Sequence, residues 1–342
     1  MKKNYLVTGG AGFIGSNYVH RLLKRGERVT LFDNFSRAGA PRNLDWLKRE
    51  FGENAFDVIV GDVRDADGIA GAAAQSDVIV HLAGQVAVTT SVVDPRDDFE
   101  SNALGTFNVL EAARSSGRKP IFIYASTNKV YGGMDDVELT EEATRWRYKD
   151  LVNGCPETQP LDFHSPYGCS KGAGDQYVRD YARIYDLPTV VFRQSAIYGP
   201  RQFGIEDQGW MAWFVIAAVM DRPITIYGDG KQLRDMLYVD DLTSAYDLAI
   251  QNIDKVKGQV FNVGGGAENT ISVWTEFGPK LEKLIGEPIE VARGDWRPGD
   301  QRVFYADISR AKKELGWVPK INVETGVQKL FEWVTENKDL LK

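Results

Sequence analysis

The hydrophobic pattern at the start of the chain changes from that of a strand to that of a helix across a glycine-rich segment. Tyr5-Leu6-Val7 is a short apolar run typical of a buried strand, and residues 13–23 carry an apolar stripe with helical period. Gly9, Gly12 and Gly15 follow the strand at three-residue spacing. The pattern therefore predicts a strand, a glycine turn and a helix whose first backbone amides have no partner within the helix.

Strand-like and helix-like segments continue to alternate through most of the first 265 residues. The later strands are predicted at residues 28–32, 56–65, 77–84, 119–124, 188–192 and 260–263. The later helices are predicted at residues 102–116, 165–185 and 239–250. Alternation with short links predicts an α/β fold built on a doubly wound parallel (Rossmann) sheet.

The alternation breaks in two places. Residues 132–160 have little periodicity and many charges, which predicts a long loop that covers a substrate. From about Arg193, Gly, Pro, Trp and Arg occur in short irregular pieces around one apolar helix at 210–220. We therefore expect a dinucleotide-binding domain of residues 1–192 plus 236–265, and a smaller C-terminal lobe of residues 193–235 plus 266–342.

Composition narrows the class of protein. With 342 residues, 43% of them hydrophobic, the chain can form one large globular unit or two lobes. Its apolar runs are shorter than the roughly 20 residues that span a bilayer, and its first strand leaves no room for a signal peptide. Cys155 and Cys169 lack metal-site spacing, and a net charge of −7 argues against a nucleic-acid partner. We expect a reduced cytoplasmic protein with no metal and no membrane partner.

The glycine turn has the residues of a dinucleotide site. Gly9 would form the tight turn, Gly12 would let a cofactor approach the backbone, and Gly15 would let the helix pack on the sheet. The next strand ends at Asp33, about 20 residues further on, where a carboxylate accepts hydrogen bonds from both ribose hydroxyls of NAD and repels a 2′-phosphate. Arg37 weakens this preference, but we expect NAD rather than NADP. An ordinary glycine-rich turn is the alternative.

Two further strand ends carry polar or small residues. Asp62 could receive the adenine amino group or cap the following helix, and the sequence does not separate the two. Leu82-Ala83-Gly84 stands where the cofactor would cross the sheet. His81, inside the same apolar run, is expected to be packed or hydrogen-bonded rather than catalytic.

Thr127, Tyr167 and Lys171 form the strongest catalytic pattern in the sequence. Tyr167 and Lys171 are four residues apart, which on a helix puts both side chains on one face. An ammonium beside the phenol would stabilise the phenolate and lower its pKa, so that Tyr167 could act as a base near neutral pH. Thr127, at the end of a central strand, could bind the same substrate hydroxyl. A surface Tyr–Lys pair is the alternative.

Motifs along the whole chain resemble those of the extended short-chain dehydrogenase/reductase family, the nucleotide-sugar epimerases and dehydratases. They are Thr-Gly-Gly-Ala-Gly-Phe-Ile-Gly from Thr8, Asp33, Asn102-x-x-Gly105-Thr106, Tyr167-x-x-x-Lys171, Tyr198-Gly199-Pro200-Arg201, and Arg234-Asp235 with Val239-x-Asp241. Residues 126–132, 161–171 and 207–210 are similar to the CDP-tyvelose (CDP-paratose) 2-epimerase branch.

The resemblance implies binding residues for each ligand, with the smaller lobe binding a nucleotide sugar. For NAD these are Gly9, Gly12, Phe13, Ile14, Gly15, Asp33, Asn34, Arg37, Asp62, Val63, Leu82, Ala83, Gly84, Asn102, Tyr167 and Lys171. For the nucleotide sugar they are Gln85, Ser126, Asn128, His164, Gln194, Arg201, Arg234 and Arg297. Arg234 and Arg297 would contact the diphosphate. For Arg201 an ordinary salt bridge remains open.

Departures from the family pattern favour one reaction over others. Dehydratases of this family follow their threonine with Asp-Glu, whereas this chain has Asn128 and Lys129, so elimination lacks its acid and its base. Many relatives carry Asn where this chain has Ala196, which puts the usual sugar-binding mode in doubt. The resemblance to the 2-epimerase branch then implies epimerisation at carbon-2 through a transient 2-keto sugar.

The sequence leaves two other functions open and predicts an oligomer. A 4-epimerase would use the same Thr127, Tyr167 and Lys171, and a non-catalytic NAD-sensing protein would need no base. The helices at 102–116 and 165–185 carry apolar faces that, in this family, pair across a two-fold axis. We therefore expect a homodimer or homotetramer.

Overall fold

The computed structural model describes residues 2–297 and 299–342. Met1 of the predicted first domain and Pro298, next to Arg297, lie outside the described residues. The described chain divides into two compact units. The first contains residues 2–130, 165–193 and 243–261, and the second contains residues 131–164, 194–242 and 262–342.

Strands and helices alternate along most of the chain, as the hydrophobic pattern indicates. The strands are β1 (Asn4–Thr8), β2 (Arg28–Asp33), β3 (Asp57–Val60), β4 (Val78–His81), β5 (Ile121–Thr127), β6 (Leu139–Glu141), β7 (Trp146–Tyr148), β8 (Thr189–Gln194), β9 (Ala196–Tyr198), β10 (Ile224–Tyr227), β11 (Leu233–Tyr238), β12 (Gln259–Val263), β13 (Thr270–Ser272), β14 (Val291–Gly294) and β15 (Val303–Phe304). The helices are α1 (Phe13–Lys24), α2 (Ala40–Phe51), α3 (Ala66–Ala73), α4 (Val88–Val93), α5 (Pro95–Phe99), α6 (Gly105–Ser115), α7 (Ser165–Tyr185), α8 (Trp210–Val219), α9 (Val239–Gln251), α10 (Ile253–Val256), α11 (Phe277–Ile285), α12 (Ser309–Leu315) and α13 (Val323–Glu336).

A large sheet organises the first unit. Within the described residues, seven strands pair in the order β12–β8–β5–β4–β1–β2–β3. The pairs β1–β2, β2–β3, β1–β4 and β4–β5 are parallel. The chain adds β2 and β3 on one side of β1 and β4 on the other, so the strand order reverses at the carboxyl ends of β1 and β4. Open α/β sheets bind their ligands at such a reversal. The predicted doubly wound fold is confirmed.

The central strands are nearly continuous apolar runs because helices cover both faces of the sheet. Leu6, Ile79, Phe122 and Val191, from β1, β4, β5 and β8, are all fully buried in one core cluster. Burial on both faces leaves the strand ends as the places where polar groups can meet a ligand.

Two predicted elements differ from those observed. The helix expected at 102–116 is reached through α5 and a π-helical turn at Glu100–Leu104, so Asn102 lies in the π-helical turn rather than at a helix start. The loop expected at 132–160 contains an antiparallel hairpin, in which β6 pairs with β7. A hairpin is stabilised by hydrogen bonds between its two strands, and the hydrophobic pattern along this segment did not predict them.

The second unit contains smaller sheets. β11 pairs in parallel with β9 and β15 and antiparallel with β13, and β10 pairs in parallel with β14. The compact units differ from the expected domains. Residues 131–164, 236–242 and 262–265 were expected in the first domain and group with the second unit, and Arg193 was expected in the second and groups with the first. No helix within residues 2–297 and 299–342 is both long enough and apolar enough to span a membrane.

Candidate functional site

The turn after β1 requires glycine at two positions. Gly9 has φ +67°, and a Cβ atom there would lie 2.7 Å from the Ala83 backbone nitrogen. A Cβ atom on Gly15 would lie 2.1 Å from the Gly9 carbonyl oxygen, so Gly15 lets α1 pack on the turn itself. Gly12 is the N-cap of α1 and provides no side-chain cap. This close-packed helix N-terminus has the form of a pyrophosphate site.

Asp33 joins the end of β2 to the glycine turn. Its carboxylate accepts hydrogen bonds from the Ala11 amide at 2.9 Å and the Phe35 amide at 2.8 Å. Burial raises the pKa of Asp33, and these backbone hydrogen bonds act in the opposite direction. The carboxyl group is therefore held by backbone donors at the end of β2, and its contact with the ribose stays a prediction.

Asp62, on the loop after β3, accepts hydrogen bonds from two side chains. It accepts hydrogen bonds from Arg64 Nη2 at 2.7 Å and from Asn34 Nδ2 at 2.9 Å, and the Arg64 hydrogen bond is the main reason that its pKa falls to about 2. The helix cap proposed as an alternative for Asp62 is wrong. Asp65 caps α3 and accepts from the amides of Asp67 and Gly68. A contact of Asp62 with adenine stays a prediction.

The end of β4 lies next to Asn102. A Cβ atom on Gly84 would lie 2.4 Å from Asn102 Oδ1, so a larger residue there would displace the Asn102 side chain. Asn102 Nδ2 donates to Asp98 Oδ1 at 3.0 Å and to Ser170 Oγ at 3.2 Å. Asn102 Oδ1 is buried and has no hydrogen-bond partner among the described residues. A buried acceptor with no partner fits a site that receives a hydroxyl or amide donor from a bound cofactor.

His81 is a structural residue, as expected. Its ring nitrogens lie 2.7 Å from Thr8 Oγ1 and 3.0 Å from Thr106 Oγ1. Burial lowers its pKa to about 3, so the imidazole is neutral near pH 7. Thr8 Oγ1 also accepts the Leu82 and Ala83 amides, each at 3.3 Å.

The structure brings Thr127 and Tyr167 together. Thr127 ends β5, Tyr167 lies in the first turn of α7, and the Thr127 side chain hydrogen-bonds the phenol. The Tyr167 amide donates to Ser91 Oγ at 3.2 Å. Lys171 lies one turn further on, with its Nζ atom 4.5 Å from the centroid of the Tyr124 ring. All three predicted catalytic side chains are buried in the first unit.

Burial is the largest influence on the pKa values of Tyr167 and Lys171. It raises the pKa of Tyr167 to about 12, against the Thr127 hydrogen bond and the Arg37 charge. It lowers the pKa of Lys171 to about 8, against Asp98 and Asp175. The expected low phenol pKa is therefore wrong for the protein alone, because the cost of removing the phenolate from water exceeds the stabilisation by neighbouring charges.

Sequence reasoning missed two acidic residues beside Lys171. Asp98, on α5, is 1% exposed, and burial raises its pKa. Asp175, on α7, is fully buried. Asp98 lies among the charged residues Asp97 and Glu100, a pattern typical of a solvent-exposed helix face, so nothing in the sequence indicated it. Asp175 stands four residues after Lys171, and this helical spacing could have indicated that the two side chains share a face.

The predicted substrate residues of the first unit are bound to their own neighbours. The Gln85 side chain accepts the Ala87 amide and donates to the Ala87 carbonyl. Asn128 Oδ1 accepts from Thr127 Oγ1 at 3.3 Å. The Ser126 hydroxyl donates to buried Asp175 at 2.8 Å, and its expected contact with the sugar stays a prediction.

The predicted substrate residues of the second unit have varied surroundings. Arg234 Nη2 lies 2.7 Å from Asp300 Oδ1, and Arg297 Nη2 lies 3.2 Å from Asp207 Oδ1. The Arg297 guanidinium also stacks 3.8 Å from the centroid of the Tyr227 ring. Arg201, with φ +68°, lies over the Trp333 ring at 5.7 Å. His164 is exposed and Gln194 is buried.

Among the other predicted cofactor residues, Val63 is buried and Phe13 and Ile14 are half-buried, while Asn34 and Arg37 are exposed. No group of three or more His, Cys, Asp or Glu side chains that could hold a metal ion occurs within residues 2–297 and 299–342.

Known proteins match the chain over nearly its whole length. The model of the family described as GDP-mannose 4,6 dehydratase matches residues 6–330. CDP-paratose 2-epimerase of Salmonella typhi is 44% identical over 337 residues, which is 96% of this chain and 98% of that protein. UDP-glucose 4-epimerase of Thermotoga maritima, solved with UDP-glucose, has a TM-score of 0.83 at 31% identity and covers 98% of this chain and 99% of its own. UDP-glucose 4-epimerase of Thermus thermophilus, solved with NAD, has a TM-score of 0.81 at 31% identity with the same coverage.

Proposed function

Because this chain belongs to the GDP-mannose 4,6 dehydratase family, within the extended short-chain dehydrogenases/reductases, we propose that it is an isomerase that epimerises a nucleotide-diphosphate hexose at carbon-2. The substrate pair is of the CDP-paratose and CDP-tyvelose type, and the cofactor is NAD. The single observation that carries the reaction type is the buried contact between Thr127 and Tyr167, with Lys171 one helical turn away. The identity to the 2-epimerase of Salmonella typhi carries the choice of carbon.

The residues present fit NAD. The glycine turn before α1 would hold the pyrophosphate, Asp33 would accept from the adenine ribose, and the unpartnered Asn102 Oδ1 beside Gly84 offers a further acceptor. NAD, when bound, supplies the hydride acceptor and a positive charge that favours a phenolate. A neighbour solved with NAD, UDP-glucose 4-epimerase of Thermus thermophilus, supports this choice.

Tyr167 is the base and Lys171 is its electrostatic partner. Tyr167 takes the proton of the carbon-2 hydroxyl as that carbon is oxidised, and returns it when the ketone is reduced on its other face. Thr127 hydrogen-bonds the reacting oxygen and orients it toward the phenol. Burial of all three side chains excludes water, so that the proton and the hydride return to the same sugar.

Arg234 and Arg297 hold the substrate diphosphate. Their present partners, Asp300 and Asp207, are carboxylates that a diphosphate could replace, since both guanidiniums bind anions through the same N–H groups. Arg201 packs on Trp333 and shapes the second unit rather than the phosphate site. The second unit is accordingly the nucleotide-sugar-binding part of the chain.

A 4-epimerase of the UDP-glucose type is the second candidate. Two solved neighbours carry that name at 31% identity. The same Thr127, Tyr167 and Lys171 would serve it, so the two candidates differ in which hydroxyl reaches Tyr167. A dehydratase is disfavoured because Asn128 and Lys129 follow Thr127 in place of an acid and a base.

The enzyme acts in the cytoplasm as a homodimer or homotetramer. Supporting the assembly, exposed apolar side chains occur on α5, α6, α7 and the π-helical turn: Phe99, Leu104, Phe107, Tyr177 and Ile184. Exposed apolar groups on neighbouring helices are typical of an interface between copies. Light scattering at micromolar concentration tests this, and a monomeric mass would contradict it.

Deuterium labelling tests the reacting carbon. CDP-paratose carrying deuterium at carbon-2 should show a primary isotope effect, and the epimerised product should keep the label with little exchange into water. CDP-paratose labelled at carbon-4 is the matched control and should show no primary effect. An effect at carbon-4 alone would identify a 4-epimerase, and loss of the carbon-2 label to water would indicate enolisation instead.

A further inference from the structure

Asp175 is a buried carboxylate in the helix that carries Tyr167 and Lys171. It is fully buried and lies one turn after Lys171 on α7. Its oxygens accept hydrogen bonds from Ser126 Oγ at 2.8 Å, Arg193 Nε at 2.9 Å and Arg193 Nη2 at 3.0 Å. A buried carboxylate with this many partners is costly to assemble, so its contacts hold specific elements in place.

Gln176, on α7 itself, also donates to Asp175 through its Nε2 atom at 2.7 Å, whereas Ser126 and Arg193 come from two strands of the sheet. Ser126 immediately precedes Thr127 at the end of β5, and Arg193 lies near the end of β8. Asp175 therefore links α7 to the strand that carries Thr127 through a single side chain. The contact between α7 and β5 is close in general, since a Cβ atom on Gly174 would lie 2.3 Å from the Tyr124 hydroxyl oxygen.

We propose that Asp175 is a positioning residue for the reaction, with Arg193 and Ser126 as its anchors. It fixes the separation between Thr127 on β5 and Tyr167 on α7, and it presents a negative charge to Lys171. Ser126 acts through Asp175 rather than by touching the sugar. The inference rests on the proposed function, because it assigns Asp175 to the same reacting pair.

Charged and titratable groups surround Lys171 on several elements. They are Asp98 on α5, His81 on β4, Tyr124 on β5, Arg193 on β8, and Tyr167 and Asp175 on α7. His81 is neutral because burial lowers its pKa to about 3, and burial raises the pKa of Tyr124 well beyond its usual range. Asp98 and Asp175 are thus the carboxylates that oppose the loss of the Lys171 proton. Removing the charge of Asp175 should lower the pKa of Lys171 further.

The test is the pH dependence of kcat/KM for CDP-paratose in the holoenzyme. Asp175→Asn keeps the shape of the side chain and removes its charge. We expect the alkaline limb of the profile, where Lys171 loses its proton, to move down by about one pH unit, the lower end of the shift that a neighbouring charge produces. Asp247→Asn is the matched control. Asp247 is also buried, and it pairs with Arg21 and Arg25 at 2.6 Å in the same unit.

Ser126→Ala tests the positioning role without leaving a buried charge unpaired. It should lower kcat about tenfold and leave KM unchanged, since a small displacement of reacting groups reduces the rate and not the binding. A rise in KM at constant kcat would make Ser126 a substrate ligand and overturn the role. This variant also decides the matter if Asp175→Asn does not fold.

The two proposals fail in different ways. If Tyr167→Phe is active, Tyr167 is not the base and both proposals fall. If Tyr167→Phe is inactive while the Asp175→Asn profile superimposes on those of the wild type and Asp247→Asn, only the role of Asp175 is overturned. A downward shift of the alkaline limb in Asp175→Asn, but not in Asp247→Asn, supports the positioning role of Asp175.

Discussion

The charged groups that we propose for the reaction and for diphosphate binding are held in different ways in the two compact units. In the first unit, Asp175 is fully buried and is fixed by Arg193 and Ser126. In the second unit, Arg234 and Arg297 pair with Asp300 and Asp207, and the Asp207 side chain is 48% exposed. The Arg234 and Asp300 side chains are 12% and 26% exposed. Fully buried partners cannot exchange readily, whereas ion pairs open to solvent are weaker and more readily replaced. The difference supports the proposal of a preorganised reaction site in the first unit and of an exchangeable anion site in the second.

Tyr167→Phe should have the largest effect and would test the reaction site directly. It removes only the phenolic oxygen, and general-base catalysis typically contributes about 10²–10⁴-fold, so kcat should fall by that factor while NAD stays bound. Tyr177→Phe, an exposed tyrosine on the same helix, is the control and should keep full activity. Steady-state kinetics and the NAD content of the purified protein measure both. More than half of the wild-type activity in Tyr167→Phe would contradict the assignment.

Arg234→Gln should affect binding rather than chemistry. Loss of a charge-assisted hydrogen bond of about 1.5–3 kcal/mol corresponds to a rise in KM of about 10–100-fold, with kcat little changed. Arg145→Gln breaks another partly buried ion pair of the second unit, with Glu276 at 2.6 Å, and should leave KM unchanged. Equal effects of the two variants on KM would show that Arg234 stabilises the fold and does not bind the diphosphate.

Asp235→Asn should affect stability rather than activity and would sharpen the comparison of buried carboxylates. Asp235 lies in the second unit, where Ser195 and the amides of Gly266 and Ala306 donate to it, and burial raises its pKa to about 6. The raised pKa means that the folded state holds this proton more tightly than the unfolded state, so stability is greatest below about pH 4 and is lost as pH rises to about 6. About two pKa units correspond to about 3 kcal/mol.

The difference in melting temperature between wild type and Asp235→Asn measures this contribution. It should change between about pH 4 and pH 6 and become constant above. Taking the difference removes the pH dependence of the other carboxylates, which the two proteins share. A difference that is the same at every pH would mean that Asp235 does not titrate in this range.

Much of the fold and part of the site could be predicted from local patterns. β1 and α1 form where the hydrophobic pattern indicates. The pattern depends on neighbouring residues alone: the apolar run before Thr8, the glycine spacing and the apolar stripe from Phe13. The four-residue spacing of Tyr167 and Lys171 likewise follows from helix geometry, and α7 has the predicted bounds. Local sequence was less informative for the β6–β7 hairpin, because strands of three residues depend on their partners.

The sequence by itself determined the α/β alternation, the dinucleotide turn and the residue types of the reacting group, since each depends on periodicity or spacing along one segment. Only the tertiary structure decided which partners those residues have. Ser126 turns to Asp175, which lies 49 residues away in the chain, and burial raises the pKa of Tyr167 where a neighbouring ammonium was expected to lower it. Both results follow from desolvation and pairing between elements that are distant in sequence, and a local pattern contains no measure of either.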